Sequence, residues 1–368
     1  MPLLSAVVSR RFRAEGSAAR PQAGRRRVAV VLNLRARKVD GALVDRLAAV
    51  VGREHVYASG TLAEAEQMAR QIVHRRYDVV ACGGGDGTFS GSLNRVLRYV
   101  REANAWRRLK GEHARRPPSP FLVPSFAFLA LGTGNAMSHV VGSSTPLRDL
   151  TRLLYDDQLQ LERLPLIESD DGQIFLFGGI GYDSLLQSDY DAFVKQVSLP
   201  FLRSLWGYVA AVATRTLPRV YRGQPLLEAS LHSVGRAWYI DPLANDRPVP
   251  LGRDVPLFVG PADLLGVGTV PYFGYGLRAF PFAGVLPKTM HLRIAHLSAA
   301  RALGVLPKLW RGTLRDPKRL RDFAVEGVDI SLRRPFAFEH SGDGQGELRN
   351  IRLTVAPEPL ALVSFCRP

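Results

Sequence analysis

One short loop carries the residue types that phosphate chemistry needs. It reads Gly83-Gly84-Gly85-Asp86-Gly87-Thr88, so that four glycines surround a single carboxylate. Glycine lets the backbone adopt positive φ and approach a ligand closely, and the N–H groups of such a turn bind phosphates when a helix follows. A carboxylate fits there only together with a cation or a hydroxyl. The loop therefore predicts a site for a polyphosphate with Mg²⁺; the alternative interpretation is a tight strand-to-helix turn with a capping Asp86.

A second glycine turn strengthens this prediction. The first loop is not a Walker A loop, because no Lys followed by Ser or Thr comes after it, and its glycine spacing differs from the dinucleotide fingerprint. The second turn, Leu131-Gly132-Thr133-Gly134-Asn135, follows a predicted strand at 126–131. Ligands of open parallel sheets bind where the strands end, so both turns are expected to face one nucleotide.

The residues before the first loop alternate between strand-like and helical patterns. The predicted strands are 28–32, 55–57 and 77–82, and the predicted helices are 43–51, 61–75 and, after the loop, 90–100. Ser59 or Thr61 is the expected N-cap of the second helix, with Glu64 in its first turn. This β-α-β-α-β order predicts a parallel sheet with helices on both faces.

The remainder of the chain has a different pattern. Residues 104–120 are basic and end in Pro117-Pro118-Ser119-Pro120, which predicts a surface insertion or loop. Beyond residue 160, short β-like runs separated by Gly, Pro and Asp predict a mainly antiparallel β-sandwich domain. These runs are 174–177, 226–231, 237–239, 256–259, 291–295, 328–332, 336–339 and 351–355, and helical patterns at 191–214 and 298–311 interrupt them.

Length and composition indicate a globular protein with two domains and an affinity for anions. The chain has 368 residues, of which 46% are hydrophobic and 22% charged, and its net charge of +16 should attract nucleotides, nucleic acid or an anionic membrane. Two cysteines, Cys82 and Cys366, exclude a disulfide framework or a cysteine metal site and favour a reducing compartment. The sequence contains no uninterrupted run of about 18 apolar residues, so no transmembrane helix is predicted. Residues 1–24 are interpreted as a basic flexible tail or, alternatively, as a mitochondrial-type targeting segment.

Together the two turns resemble the diacylglycerol, sphingosine and ceramide kinase family, within the NAD-kinase-like superfamily. The resemblance rests first on Gly84-Gly85-Asp86-Gly87-Thr88, Asn94 and Leu131-Gly132-Thr133-Gly134-Asn135, in this order. Three later motifs also resemble the family: Gly179-Ile180-Gly181-Tyr182-Asp183, Pro271-Tyr272-Phe273-Gly274-Tyr275-Gly276 with Pro281, and Asp343-Gly344-Gln345. Their occurrence in family order over residues 28 to about 363 makes the resemblance specific.

What the resemblance implies is an ATP-dependent lipid kinase of the α/β class. Residues 25–155 would be the parallel-sheet, nucleotide-binding catalytic domain, residues 156–356 the β-rich lipid-substrate domain, and residues 357–368 would hold a strand that returns to the first domain. ATP and Mg²⁺ are the implied cofactors, and diacylglycerol, a sphingoid base or a related lipid is the implied acceptor. The protein would act in the cytoplasm at an anionic membrane surface. A homodimer is compatible with the sequence, and no specific nucleic acid is expected, because no aromatic-basic platform accompanies the charge.

The family also implies roles for individual residues. Phosphates would be bound by Gly84, Gly85, Asp86, Gly87 and Thr88, with Asp86 near the metal, and the opposite wall would be formed by Gly132, Thr133, Gly134 and Asn135. Asn33 and Ser59 would contact the nucleotide, and Asp183 the lipid headgroup. The base that accepts the proton of the attacking hydroxyl would be Asp343 or, as in sphingosine-type members, Asp86.

Several positions depart from the family pattern. Leu34-Arg35-Ala36-Arg37 replaces the Pro-x-Ser-Gly that follows Asn33 in the family, and Gln345 replaces the second acid of the closing element. Phe282, Pro287-Lys288 and His291 occupy the places of acidic residues that hold a structural metal in some members. Two rival interpretations therefore stay open: an NAD kinase, which shares the Gly-Gly-Asp-Gly-Thr loop, and a catalytically weak lipid-binding pseudokinase.

Overall fold

The chain folds into two compact units. The computed structural model describes residues 26–36, 38–111, 119–132, 135–181, 227–274, 276–297 and 299–366. The first unit takes in residues 26–164 and 360–366, and the second takes in residues 165–359. The basic tail at 1–24 and the helical pattern at 191–214 lie outside the described residues. No helix in the described ranges combines the length and the apolar character needed to cross a membrane.

A mostly parallel sheet forms the centre of the first unit. Its strands are β1 (Val28–Asn33), β2 (Val56–Ser59), β3 (Val79–Gly84), β4 (Ser125–Ala130), β5 (Gln160–Leu164) and β18 (Leu360–Ser364). They lie in the order β2-β1-β3-β4-β18-β5, and only β5 pairs antiparallel with its neighbour. Every residue of β3 is buried, as expected of a strand with both faces covered. The prediction of a parallel α/β domain is confirmed.

Helices follow four of these strands, and the first two are capped by the side chain of the residue that precedes them. They are α1 (Gly41–Val51), α2 (Leu62–Arg75), α3 (Asp86–Gly111), α4 (Ala136–Val141) and α5 (Pro146–Tyr155). Of the two residues predicted as N-cap of α2, the structure selects Thr61. Its hydroxyl accepts from the N–H of Glu64, whose carboxylate accepts from the N–H of Thr61, so that two otherwise unpaired donors are satisfied.

The third helix, α3, differs from its prediction at both ends. It begins at Asp86, four residues before Ser90, and runs for 26 residues to Gly111. The first eight residues of the predicted insertion at 104–120 are therefore helical. Asn104 fixes the chain that returns toward β4, because its side chain donates to the carbonyl of Phe121 and accepts from the N–H of Phe121, both at 2.8 Å.

The second unit is an antiparallel β domain, as predicted. Its first strands are β6 (Ile167–Ser169), β7 (Ile174–Phe175), β8 (Phe177–Gly181), β9 (Leu227–Ser233), β10 (Arg236–Asp241), β11 (Arg247–Arg253) and β12 (Pro256–Ala262). They are followed by β13 (Leu264–Gly268), β14 (Met290–Ala295), helix α6 (Ala299–Trp310), β15 (Leu320–Val325), β16 (Gly327–His340) and β17 (Asp343–Val355). Hydrogen bonds connect these described strands into one sheet in the order β11-β10-β15-β14-β13-β8-β16-β17-β6-β7; β9 also pairs with β16, and β12 pairs with β9.

The division between the units falls later than the sequence indicated. The predicted lipid-substrate domain begins at residue 156, but β5 pairs with β18 in the sheet of the first unit, and the second unit begins at Pro165. The short strand β18 lies between β4, to which it is parallel, and β5. The end of the chain thus completes the sheet of the first unit.

Leu362→Ala tests how much the first unit depends on this last strand. Leu362 is fully buried in β18, so its truncation should lower the free energy of unfolding by about 2–5 kcal/mol. The same substitution at Leu161, which is 39% exposed on the neighbouring β5, should cost less than about 1 kcal/mol. Urea denaturation measures both, and equal losses would show that β18 contributes no special packing.

Candidate functional site

The carboxyl ends of the parallel strands bring four predicted site segments to one edge of the sheet. In the register of the strands, Asn33 lies opposite Ser59, Leu32 opposite Gly83, and Gly84 opposite Ala130. The loops that leave β1, β2, β3 and β4 therefore start side by side. This is the edge at which open parallel sheets bind their ligands.

The two glycine turns touch each other through their backbones. The carbonyl oxygen of Gly84 accepts from the N–H of Leu131 at 3.1 Å and from the N–H of Gly132 at 2.8 Å. A Cβ added to Gly132 would lie 2.3 Å from the Cα of Gly85 and 2.7 Å from its nitrogen. Only glycine fits at position 132, and the two turns converge as the sequence predicted.

Asp86 ties the first turn to the helix that follows the second. Its carboxylate accepts from the N–H of Ala136 at 2.8 Å and from the N–H of Met137 at 3.1 Å. These are among the N–H groups that a helix start leaves unpaired, so Asp86 caps α4, whereas the alternative considered from the sequence was a cap within its own turn. Each carboxylate oxygen keeps a lone pair beyond the one that accepts its N–H. One carboxylate can therefore cap α4 and still face a cation.

Burial shifts the titration of this carboxylate. Desolvation raises the pKa of Asp86 to about 6, against the opposing effect of its hydrogen bonds from Ala136 and Met137. The charged form is thus costly in the structure without a cation. A divalent cation beside the carboxylate would favour the charged form and offset that cost.

Asn33 and Thr88 link the loop after β1 to the glycine loop. The side-chain amide of Asn33 donates to Oγ1 of Thr88 at 3.1 Å, and its Oδ1 accepts from the N–H of Arg35 at 2.9 Å. Gly84 has no room for a side chain beside Thr88, because an added Cβ would lie 2.6 Å from Oγ1. Ser59 is buried at the end of β2, and its carbonyl accepts from the N–H of Leu34. Although Leu34-Arg35-Ala36-Arg37 replaces Pro-x-Ser-Gly, hydrogen bonds still connect this segment to the glycine loop and to the end of β2.

Of the remaining predicted site residues of the first unit, the structure describes Asn135 and Gly87. Asn135 adopts a left-handed conformation with φ of 45° and forms two hydrogen bonds with Gly132, one through each side-chain atom. These two hydrogen bonds close the turn. Thr133 and Gly134 lie outside the described residues, as does Asp183. Gly87 lies in the first turn of α3.

Asp343 belongs to the second unit, where it starts β17. It pairs with His340 across the tight turn between β16 and β17, in which Ser341 and Gly342 both have positive φ. The side chain is exposed, and the amide of Gln345 donates to the carbonyl of Asp343 at 3.0 Å. The hairpin thus presents Asp343 on a regular, hydrogen-bonded strand pair.

Two further carboxylates of the second unit were missed in the sequence. Glu339 is 2% exposed, pairs in register with Gly179 of β8, and accepts from the N–H of Gly342 at 3.1 Å. Asp263 is also buried and accepts from Nδ1 of His296 at 2.8 Å. A glutamate inside the apolar run 336–340 was a readable signal. The pairing of Asp263 with His296 was not, because 33 residues separate them.

His291, at one of the departures from the family metal site, is part of a buried ion cluster. Asp322 accepts from His291 at 2.9 Å and from Arg293 at 2.7 and 3.2 Å. Burial alone would raise the pKa of Asp322, but Arg293 and His291 outweigh it and hold the pKa well below its usual value. Among the described residues, no group of three or more His, Cys, Asp or Glu side chains is arranged to hold a metal ion.

Gly132→Ala tests the contact between the turns. The added methyl would overlap the backbone of Gly85, so the turns should separate and the free energy of unfolding should fall by more than about 2 kcal/mol. Gly41→Ala is the matched control, since nothing lies within 4 Å of its added Cβ. Urea denaturation of both variants decides the matter, and two equally stable variants would contradict the described contact.

The pH dependence of stability tests the environment of Asp86. Because the folded protein binds a proton more tightly than the unfolded chain, the free energy of unfolding should fall as the pH rises from about 4 to 7, by about 2–3 kcal/mol from this group. Asp86→Asn lacks the titration, so the stability difference between wild type and variant should change over that range. Denaturation without nucleotide or divalent cation measures it, and a pH-independent difference would refute the raised pKa.

Comparison with known proteins places the first unit in a family context. Residues 23–162 match the family model of the diacylglycerol kinase catalytic domain. A search of curated protein sequences found no significant match.

Solved structures share the fold over nearly the whole chain. A diacylglycerol kinase from Bacillus anthracis str. Sterne is 13% identical, with a TM-score of 0.57 over 92% of this chain and 97% of that one. A second, candidate diacylglycerol kinase from the same strain is 14% identical, with a TM-score of 0.58 over the same shares. The resemblance found in the sequence is confirmed over residues 23–162, which match the diacylglycerol kinase catalytic domain, and the chain shares its fold with these solved structures.

Proposed function

We propose that the protein transfers the γ-phosphoryl group of ATP to the hydroxyl of a lipid. The observation that carries this proposal is the contact between the two glycine turns at the sheet edge, where α3 begins and where the Asp86 carboxylate caps α4. A family match over the same segment supports it. A lipid is proposed as the acceptor because diacylglycerol kinases, after which this family is named, act on a lipid.

The first unit would hold the polyphosphate mainly by hydrogen bonds from fixed donors. The first residues of α3 present backbone N–H groups to an anion, and the dipole of this 26-residue helix favours negative charge at that end. Asn33 donates to Oγ1 of Thr88, so the hydroxyl hydrogen of Thr88 is free to donate to a phosphate oxygen. Fixed donors of this kind supply the positioning that phosphoryl transfer requires.

Asp86 fits the role of holding Mg²⁺ with the nucleotide. It is the one carboxylate of the loop, it retains lone pairs on both oxygens, and burial makes its charge costly until a cation is present. Mg²⁺ typically takes one or two carboxylates together with phosphate oxygens and water. When bound, the ion would neutralise charge on the phosphate oxygens; Asp86 would meanwhile keep α4 in place through Ala136 and Met137.

The acceptor side of the reaction would belong to the second unit. Asp183 would bind the headgroup hydroxyl, and a carboxylate would take its proton while the hydroxyl oxygen bonds to the γ-phosphorus and the bond to the β–γ bridging oxygen breaks, which releases ADP. Asp343 and Asp86 are the two candidates for this base. Asp343 is the preferred candidate because its side chain is exposed, whereas the Asp86 carboxylate already accepts two hydrogen bonds from the start of α4. The reaction would take place at the surface of an anionic membrane, in the cytoplasm.

A panel assay with labelled ATP tests the proposed reaction. We expect label on diacylglycerol, sphingosine or ceramide in the presence of Mg²⁺ and none on NAD. Asp343→Asn should lower kcat by about 10²–10⁴-fold if Asp343 is the base. Asp45→Asn is the matched control, because Asp45 is 79% exposed on α1 and should leave kcat unchanged.

Each other outcome of the panel supports a different interpretation. Label on NAD would replace the lipid kinase with an NAD kinase. Transfer to no acceptor, with ATP or lipid still bound, would make the protein a pseudokinase. A fully active Asp343→Asn variant would move the base to another carboxylate.

A further inference from the structure

A basic segment of the second unit carries cations that the protein itself does not neutralise. Residues 301–319 contain six Lys or Arg residues and one acid, Asp316. Arg319 pairs with Asp316, and Arg315 pairs with Asp246. The remaining four are exposed and form no ion pair within the described part of the chain: Arg301, Lys308, Arg311 and Lys318.

Helix α6 packs its apolar face against the protein, and it carries two of these cations, Arg301 and Lys308. Ala302, Val305 and Leu309, spaced at helical intervals, pack against a small core formed by Ala295, Leu297, Leu314 and Leu320. Trp310 is half-buried, and its carbonyl accepts from the N–H of Arg278. Leu309 is therefore not available to insert into a bilayer. Arg301 and Lys308 of this helix, and Arg311 directly after it, are exposed to solvent.

An exposed leucine lies beside this segment. A short 3-10 helix, Pro242–Ala244, joins β10 to β11 and leaves Leu243 84% exposed. Arg315 grips Asp246 of this hairpin with two hydrogen bonds, Nε to Oδ1 at 2.7 Å and Nη2 to Oδ2 at 2.9 Å. The two-point pair holds the hairpin tip against the chain that follows α6. The pair thus brings the hairpin that carries Leu243 next to the chain between Arg311 and Lys318. We name Leu243 together with Arg301, Lys308, Arg311 and Lys318 the basic face.

The strand next to this tip is unsuited to pairing with another protein strand. The edge strand β11 includes Pro248 and Pro250, which have no N–H to donate. Its exposed Val249 and Leu251 are thus not presented for strand addition. The basic face, with exposed cations and an exposed leucine, instead matches a partner that has an anionic surface over an apolar interior.

We propose that the basic face docks on an anionic lipid bilayer. Lys and Arg are attracted to acidic headgroups, and their long side chains reach headgroup level while a neighbouring apolar residue enters the acyl boundary. Leu243 supplies that residue. A soluble polyanion would use the cations but gives no reason for a leucine exposed at the tip. The inference rests on the proposed lipid kinase, for which it names the face turned to the membrane.

Vesicle co-sedimentation of the full chain tests the docking surface. Wild type should bind vesicles that contain about one third phosphatidylserine, bind phosphatidylcholine vesicles much less, and lose binding as salt is raised. Lys308→Glu/Arg311→Glu should weaken binding at least about tenfold, and Leu243→Ser several-fold. Arg334→Glu/Arg349→Glu is the control with the same charge change, on β16 and β17, which four and five strands separate from β10; it should bind like wild type.

The sedimentation result does not depend on catalysis, so the docking surface and the kinase can fail separately. Equal losses in the control variant would reduce the effect to net charge and overturn the proposal. So would binding to RNA or to an acidic protein through the same residues without vesicle binding. Activity on a water-soluble short-chain lipid should be the same in all variants, since none of these residues belongs to the nucleotide site.

Discussion

The carbonyl oxygen of Gly84 receives two N–H groups from the next strand's turn, and the rest of the candidate site depends on this contact. It requires that position 132 has no Cβ, because the backbone of Gly85 occupies that space. Once the turns are joined, the N–H donors at the start of α3 have a fixed position relative to Asp86 and the second turn. Preorganised donors of this kind bind an anion without the cost of first being ordered.

The burial of Asp86 lowers the stability of the folded protein at neutral pH. Its carboxylate is held by Ala136 and Met137, yet its pKa of about 6 means that burial disfavours the charge more than the two hydrogen bonds favour it. A group that lowers stability at neutral pH is expected where a ligand restores the balance. The raised pKa of Asp86 is therefore consistent with its proposed role in binding a cation.

Local signals in the sequence predicted the first unit well. The buried strands, the cap at Thr61 and the convergence of the two turns follow from hydrophobic runs, capping chemistry and the edge rule for parallel sheets. The start of α3 was placed four residues late because glycines disfavour helix on propensity, whereas tertiary contacts of Gly85 and Asp86 override it. The pairing of β18 with β4 and β5 and the burial of Glu339 depend on contacts between distant residues, which periodicity does not encode.

Hydrogen exchange of backbone amides tests most directly whether the two turns form one polyphosphate site. Amides in peptides covering residues 83–92 and 131–138 should both exchange more slowly when ATP and Mg²⁺ are added, because donors from both turns would then be engaged or shielded. Slowed exchange in one peptide alone, or in neither while ATP binds elsewhere, would contradict the account.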